Sequence, residues 1–294
     1  MDAQRIDGAT RLVGLLGHPV AHSLSPAIHN HAFRACGLPF AYVPLGVHPH
    51  DLHLAVGAIR ACGFAGANVT IPHKTAVIRY CDRVSPLSER IGAVNTLYLH
   101  EGMLWGTTTD PDGFFRTLAW MKQDSRGSRC VILGNGGTAR TLGFALALER
   151  LPSKLTLVGR NEQRVSALAE EIAERCNFQV AWTTFGSPQL ADAMGECSLC
   201  VNCTSVGMHP WPDESPLQPE LLHENMALVD MIYNPTRTKL LRMGEQAGCR
   251  TQNGLRMLLY QGLASFKLWT GVDVGEDIFD ISELEARVAQ TSQG

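Results

Sequence analysis

Cys130-Val-Ile-Leu-Gly-Asn-Gly-Gly-Thr-Ala139 is an apolar run that enters a glycine-rich turn and continues into a helical pattern. The turn has the form G-x-G-x-x-A, from Gly134 through Asn135, Gly136, Gly137 and Thr138 to Ala139. Glycines let the backbone approach a pyrophosphate, and the N-terminus of the following helix offers free N–H groups to the anion. A second strand-like run, Leu155-Thr-Leu-Val158, follows at the spacing of a βαβ unit. Further strand-like runs near 180–184, 199–202 and 227–232 alternate with helical patterns from about Thr138, Arg164 and Thr238. Residues 113–253 are therefore expected to form a doubly wound Rossmann unit that binds a dinucleotide.

After Val158 the chain reads Gly159-Arg160-Asn161, with Arg164 three residues on. An NAD-selective fold places an acid there for the ribose 2′-hydroxyl, and this chain has none. A guanidinium pairs bidentately with phosphate, and cations are disfavoured at the positive end of a helix. Arg160, Asn161 and Arg164 thus predict NADP, with NAD possible.

Working toward the N-terminus, Leu12-Val-Gly-Leu-Leu16, Phe40-Ala-Tyr-Val43 and Ala67-Asn-Val-Thr-Ile71 are strand-like. Ser25-Pro26 is a helix start, with the serine as cap and Gly37 as stop, and a second helix fits Asp51–Cys62 before Gly63. This alternation predicts a mainly parallel sheet. Residues 94–99 and 103–105 form a hairpin around Glu101-Gly102. A helical pattern over Leu255–Trp269 follows Gly254. The expected organisation is α/β: a substrate domain over 1–112, completed by C-terminal helices in 254–294, the Rossmann domain over 113–253, and the active-site cleft between them.

The 294 residues, 45% hydrophobic, suffice for two ordinary cores. A formal net charge of -3 provides no basic field, which argues against nucleic acid and anionic membrane surfaces and for a small-molecule ligand. With no apolar leader and no run long enough to span a bilayer, a cytoplasmic protein is expected. The nine cysteines are odd in number and read as reduced thiols. Cys197, Cys200 and Cys203 have C-x-x-C-x-x-C spacing, but on a strand such side chains point to opposite faces, so packed core cysteines are expected. Eight of the eleven histidines precede residue 75 without a familiar ligand motif. His29 and His31 diverge on one helix and read as solvated, and no metal site is predicted.

Lys74 follows Pro72-His73 where a strand ends and a helix is expected to begin, and Asp110 closes Gly106-Thr-Thr-Thr-Asp110. A lysine and an aspartate brought together can bind a hydroxyl between them and handle the proton that accompanies hydride transfer.

Several words of the sequence, in order, carry a resemblance. They are Ser23-Leu-Ser-Pro26, Asn68-Val-Thr-Ile-Pro-His-Lys74, Gly92-Ala-Val-Asn-Thr96, Thr109-Asp110, Gly134-Asn-Gly-Gly137, Asp230-Met-Ile-Tyr-Asn-Pro235 with Thr238, and Gly254-Leu-Arg-Met-Leu258 with Gln261. From Gly14 to Gly271 the chain resembles the shikimate dehydrogenase family, which includes quinate/shikimate dehydrogenases. The resemblance implies that Ser23 and Ser25 bind the substrate carboxylate and that Thr70, Asn95 and Gln261 contact ring hydroxyls. It makes Lys74 and Asp110 the catalytic pair, and places Tyr233 near the carboxylate and Gly254 near the nicotinamide. The implied reaction is NADP-dependent, reversible reduction of 3-dehydroshikimate to shikimate in the aromatic amino-acid precursor pathway, by a monomer or homodimer. The alternatives are an NAD-dependent quinate/shikimate dehydrogenase, a paralogue with altered substrate, and a non-catalytic NADP sensor, against which the intact Lys74 and Asp110 argue.

The chain departs from the family pattern at three places. Thr108-Thr109-Asp110 stands where Asn-Thr-Asp is common, Gly159-Arg160-Asn161 where NADP-preferring members tend to have Asn-Arg-Thr, and Asn135 where a small residue is usual. These changes leave room for altered substrate or coenzyme preference.

Overall fold

The computed structural model describes residues 6–291. The outer limits of the expected substrate domain, residues 1–5 and 292–294, lie outside the described residues. The chain divides into two compact units, one running to Gly113 and resuming over Leu258–Asp280, the other comprising Phe114–Met257 and the segment from Ile281. The expectation that 254–294 completes the substrate domain differs from this division at both ends, since residues through Met257 and the last helix group with the second unit.

In the first unit the elements are β1 (Arg11–Gly17), α1 (Ser25–Ala35), β2 (Phe40–Gly46), α2 (Leu52–Ala61), β3 (Gly66–Val69), β4 (Arg83–Val84), α3 (Pro86–Ile91), β5 (Thr96–His100) and β6 (Met103–Thr107). Helix α4 (Asp110–Trp120) leads into the second unit. The sheet order is β2-β1-β3-β5-β6-β4. β1 pairs in parallel with β2 and β3, but β5 runs antiparallel to both β3 and β6. β4 is parallel to β6, so five of the six strands run the same way and β5 alone opposes them: the sheet is mainly parallel, as expected, with one reversed strand. The hairpin expected around Glu101-Gly102 forms, with both turn residues at positive φ (51° and 75°), and it docks on β3 instead of standing apart. The core lies between this sheet and its helices, where Leu16, Leu52, Val77, Val94, Leu97 and Leu104 are all fully buried.

The second unit runs β7 (Arg129–Leu133), α5 (Gly137–Leu148), β8 (Lys154–Gly159), α6 (Glu162–Cys176), β9 (Val180–Thr184), α7 (Pro188–Gly195), β10 (Leu199–Asn202), β11 (Ala227–Asp230), α8 (Lys239–Gln246) and β12 (Arg250–Gln252). Its sheet, ordered β12-β11-β10-β7-β8-β9, is parallel throughout, so the doubly wound expectation holds. Helix α9 (Leu255–Thr270) returns the chain to the first unit and α10 (Ile281–Thr291) ends in the second. Cys197 and Cys200 share the second unit's core, contrary to the opposite-faces expectation. Strand β10 starts only at Leu199, so the strand alternation does not reach Cys197.

Two local expectations on α1 are corrected. Ser25 does not cap the helix. Leu24 occupies the cap position in helical conformation, and it is Ser23 Oγ that accepts the Ser25 N–H, at 3.2 Å. His29 is not solvated. It is 1% exposed, stacked on Tyr42 with ring centroids 4.4 Å apart and edge-on to Trp269 at 5.1 Å. The reason is periodicity: Ser25, Ile28, His29, Ala32 and Phe33 form the buried stripe of the helix.

Among the described residues neither His29 ring nitrogen finds a hydrogen-bond partner, and burial lowers its pKa from 6.5 to about 3, opposed only in part by the Asn68 side chain. The native state excludes a proton that the unfolded chain takes up below pH 6.5. Stability from neutral His29 is therefore complete above that value and drains away as pH falls toward 3, by about 1.4 kcal/mol per pH unit. Thermal or urea unfolding of His29→Leu beside wild type should show the stability difference shifting in the variant's favour by about 2 kcal/mol between pH 6.5 and 5. A pH-independent difference would mean that His29 takes up its proton as readily in the native state as in the unfolded chain.

Candidate active site

In a sheet whose strand order reverses, ligands bind beyond the carboxyl ends of the strands at the reversal. In the first unit that point lies between β1 and β3. Ser23 and Ser25 follow β1, and Thr70 and Lys74 follow β3, so local topology places all four at this edge. The Thr70 N–H donates to the Leu16 carbonyl at 2.9 Å, and the Lys74 carbonyl accepts the Val94 N–H at 2.8 Å. His73 Nε2 donates to the Val47 carbonyl at 2.7 Å and is buried, so it braces the turn ahead of Lys74. The helix expected at Lys74 begins later, as a short 3-10 segment over Ala76–Tyr80.

Lys74 Nζ donates to Asp110 Oδ2 at 2.6 Å, with the lysine side chain 21% and the aspartate 7% exposed. Asp110 sits at the first residue of α4, where a carboxylate is favoured by the helix dipole. Its other oxygen accepts Asn95 Nδ2 at 2.7 Å, and the same amide nitrogen lies 3.2 Å from Gln261 Oε1. Lys74, Asn95, Asp110 and Gln261 thus form one hydrogen-bonded group. Ser23, Ser25 and Thr70 stand at the same strand edge without a direct hydrogen bond to that group among the described residues. Ser25 connects to it indirectly, since its side chain meets the Tyr42 hydroxyl, which donates to Asn68 Oδ1 at 2.8 Å. Burial drives the Tyr42 hydroxyl pKa well above its usual range, and the Ser25 contact offsets part of this.

Thr108, where the family often has an amide, is 7% exposed and lines a cavity of about 580 Å³ with Tyr98, His100, Asp112, Lys267 and Leu268. Its neighbour Thr109 is the residue that meets Asn95, donating its N–H to Asn95 Oδ1 at 2.9 Å and accepting Asn95 Nδ2 at its hydroxyl at 3.0 Å. Residues that the sequence reading passed over are Tyr42, Thr96, Thr109 and Ser265, all buried around Asn95. Ser265 carried a usable signal, as a polar residue one helical turn beyond Gln261 on an otherwise apolar stretch.

In the second unit the reversal lies between β7 and β10. Gly134 has φ 111°, a region open to glycine, and a side chain there would come 3.1 Å from the Cys203 carbonyl. α5 starts at Gly137 with Gly136 as cap and no side-chain cap, and the space beside both glycines is open. Its first-turn N–H groups, from Gly137 through Thr138 and Ala139, suit a pyrophosphate. Arg140 is bound bidentately to Glu171 at 2.6 and 2.5 Å, which lowers the glutamate pKa and turns that guanidinium away from phosphate duty. Arg160 and Arg164 are exposed, and their guanidinium groups make no hydrogen bond or ion pair among the described residues. Asn161 caps α6 by accepting the Arg164 N–H at 2.9 Å, and Asn135 Nδ2 lies against Gly159 at the end of β8. The cradle, its uncapped helix and two unpaired guanidinium groups fit a phosphorylated dinucleotide. Gly254 and Tyr233 also belong to this unit. Gly254 packs so closely on the Met231 carbonyl that no side chain fits, and burial raises the Tyr233 pKa.

Residues 15–97 match the family model described as the shikimate dehydrogenase substrate binding domain, and residues 254–279 match the Shikimate 5′-dehydrogenase C-terminal domain. The shikimate dehydrogenase (NADP(+)) of Methanothermobacter thermautotrophicus is 42% identical over 276 residues, covering 94% of this chain and 96% of the relative. The chain belongs to the shikimate dehydrogenase family. A solved shikimate dehydrogenase in complex with NADP+ superposes with a TM-score of 0.89 at 34% identity, covering 98% of this chain and 97% of the other. Shikimate 5-dehydrogenase from Listeria monocytogenes, solved with shikimate and NAD, gives 0.87 at 35% identity, covering 96% and 99%. The protein is thus an NAD(P)-dependent oxidoreductase of the shikimate dehydrogenase type, with that family's two-domain α/β architecture. No helix among the described residues is long and apolar enough to cross a membrane.

Proposed function

We propose that this protein catalyses the NADP-dependent, reversible reduction of 3-dehydroshikimate to shikimate at ring C3. The observation that carries the reading is the 2.6 Å contact of Lys74 Nζ with Asp110 Oδ2, braced by the Asn95 amide, at the strand edge that also presents Ser23, Ser25 and Thr70. The coenzyme, when bound, supplies or takes the hydride. In reduction, Lys74 in its ammonium form gives a proton to the forming alkoxide oxygen, and in oxidation its neutral form takes that proton back. Asp110 holds the reacting hydroxyl in line with Lys74, while the Asn95 and Gln261 amides and Thr70 bind ring hydroxyls. Ser23 and Ser25 anchor the carboxylate.

For the coenzyme, the first turn of α5 takes the pyrophosphate with Gly134, Asn135, Gly136, Gly137, Thr138 and Ala139, and Gly254 lies by the nicotinamide. Arg160, assisted by Asn161 and Arg164, takes the 2′-phosphate. Support comes from Gly159, Arg160 and Asn161, none of them acidic, at the carboxyl end of β8, and from relatives described with NADP(+). Use of NAD is a second reading, favoured by the Listeria relative solved with NAD. Steady-state assays of shikimate and quinate, each with NADP and NAD, test the proposal. The expected result is a kcat/KM at least about 10-fold higher for shikimate with NADP than for any other combination, the size a single well-placed polar contact confers. A preference for quinate or for NAD overturns the corresponding half.

A further inference from the structure

Beneath the Lys74–Asp110 pair lies a polar cluster closed off from water. Ser265 and Thr96 are 0% exposed, and Asn95, Thr109 and Asn68 are also buried. In such a place every donor and acceptor needs a partner, and the partners fix which way the protons point. The Thr109 N–H can only donate, and it donates to Asn95 Oδ1 at 2.9 Å, which turns Asn95 Nδ2 toward Asp110. Thr96 Oγ1 donates to the same Asn95 oxygen at 2.8 Å. With its proton committed there, Thr96 must accept at its remaining contacts, from Asn68 Nδ2 at 3.2 Å and from Ser265 Oγ at 2.8 Å. Ser265 also lies 3.0 Å from the Gln261 carbonyl, but a proton sent there would leave two oxygens facing each other at 2.8 Å. Its hydroxyl therefore donates to Thr96 and accepts from Asn68 Nδ2 and Thr109 Oγ1, each at 3.1 Å. The Tyr42 hydroxyl, on Asn68 Oδ1, orients the Asn68 amide for this. Donors run one way, from Tyr42 through Asn68, Ser265, Thr96 and Asn95 to the Asp110 carboxylate, an order in which each bond polarises the next.

We infer that Ser265 is a positioning residue for the reaction: its hydroxyl, through Thr96, locks the Asn95 amide in the orientation that donates to Asp110.

The inference rests on reading Lys74 and Asp110 as the proton-handling pair. It is tested by kcat and KM for shikimate with NADP, NADPH binding and melting temperature, in wild type, Ser265→Ala, Thr96→Val, Thr96→Ser and Lys74→Ala. Ser265→Ala and Thr96→Val should each lower kcat about 10-fold, with KM and coenzyme Kd within about 2-fold of wild type, and Thr96→Ser, which keeps the hydroxyl, should recover most of the loss. A folded Ser265→Ala protein with wild-type kcat overturns the proposal, whatever its melting temperature, and so does a Thr96→Ser variant no better than Thr96→Val. If Ser265→Ala fails to fold, the Thr96 pair decides. Lys74→Ala separates the two levels. Wild-type turnover in that variant defeats the reading of the pair, whereas lost turnover there with full turnover in Ser265→Ala defeats the Ser265 inference alone.

Discussion

Lys74→Ala should lower kcat for shikimate oxidation by about 100-fold or more while leaving NADPH affinity nearly unchanged, the range for removing a proton-transfer group. The side chain is 21% exposed and ends 2.6 Å from Asp110, so it meets both solvent and the buried carboxylate. Alanine removes the donor but not the frame, because the Lys74 carbonyl still accepts the Val94 N–H and His73 still braces the turn. Lys74→Arg separates charge from proton transfer. Arginine preserves the cation beside Asp110 yet does not release a proton at neutral pH, so it should restore little activity. Single-turnover absorbance of the coenzyme and a fluorescence titration of NADPH measure the two quantities. Turnover within a few-fold of wild type in Lys74→Ala would remove this lysine from the chemistry. A large gain for Lys74→Arg over Lys74→Ala would reduce its role to electrostatics.

Which parts of this site were legible in the sequence follows from the range of the interactions that make them. The β7 turn, the start of α8 near Thr238 and the Glu101-Gly102 hairpin are local, and each formed as expected. The docking of that hairpin on β3 pairs Asn68 with Thr96, 28 residues apart in sequence, and no local signal announces it. The same pairing brings Asn95 beneath Asp110, so motif words that looked like separate contacts with a substrate are first of all contacts with each other. For His29 residue type and helical position conflict: a histidine suits solvent, but its spacing from Ile28, Ala32 and Phe33 puts it on the buried stripe, and position prevails. Ser25 shows the same conflict. Its type suits a cap, but the helix begins one residue earlier, and the hydroxyl left free of capping meets Tyr42 instead.

Arg160→Ala should raise the Kd for NADPH by about 10- to 100-fold and change that for NADH by less than about 3-fold, the difference a charge-assisted bidentate contact with phosphate supplies. The position leaves little else for this side chain to do: it follows Gly159 at the carboxyl end of β8, is exposed, and has no protein partner among the described residues. Arg164, one turn into α6 and equally exposed, should retain part of the attraction, so the double variant should lose more than either single one. Because both guanidinium groups face solvent, the NADP preference should shrink as salt rises and the Debye length contracts from ~10 Å at 0.1 M to ~3 Å at 1 M. Arg160→Asp goes further, replacing the phosphate ligand with an acid able to take the ribose 2′-hydroxyl, and should invert the preference toward NAD. Parallel titrations with NADPH and NADH at two ionic strengths settle the matter. Equal weakening of both coenzymes by Arg160→Ala would show that this arginine holds the turn together without reading the 2′-phosphate, and the coenzyme assignment would then rest on Arg164 alone.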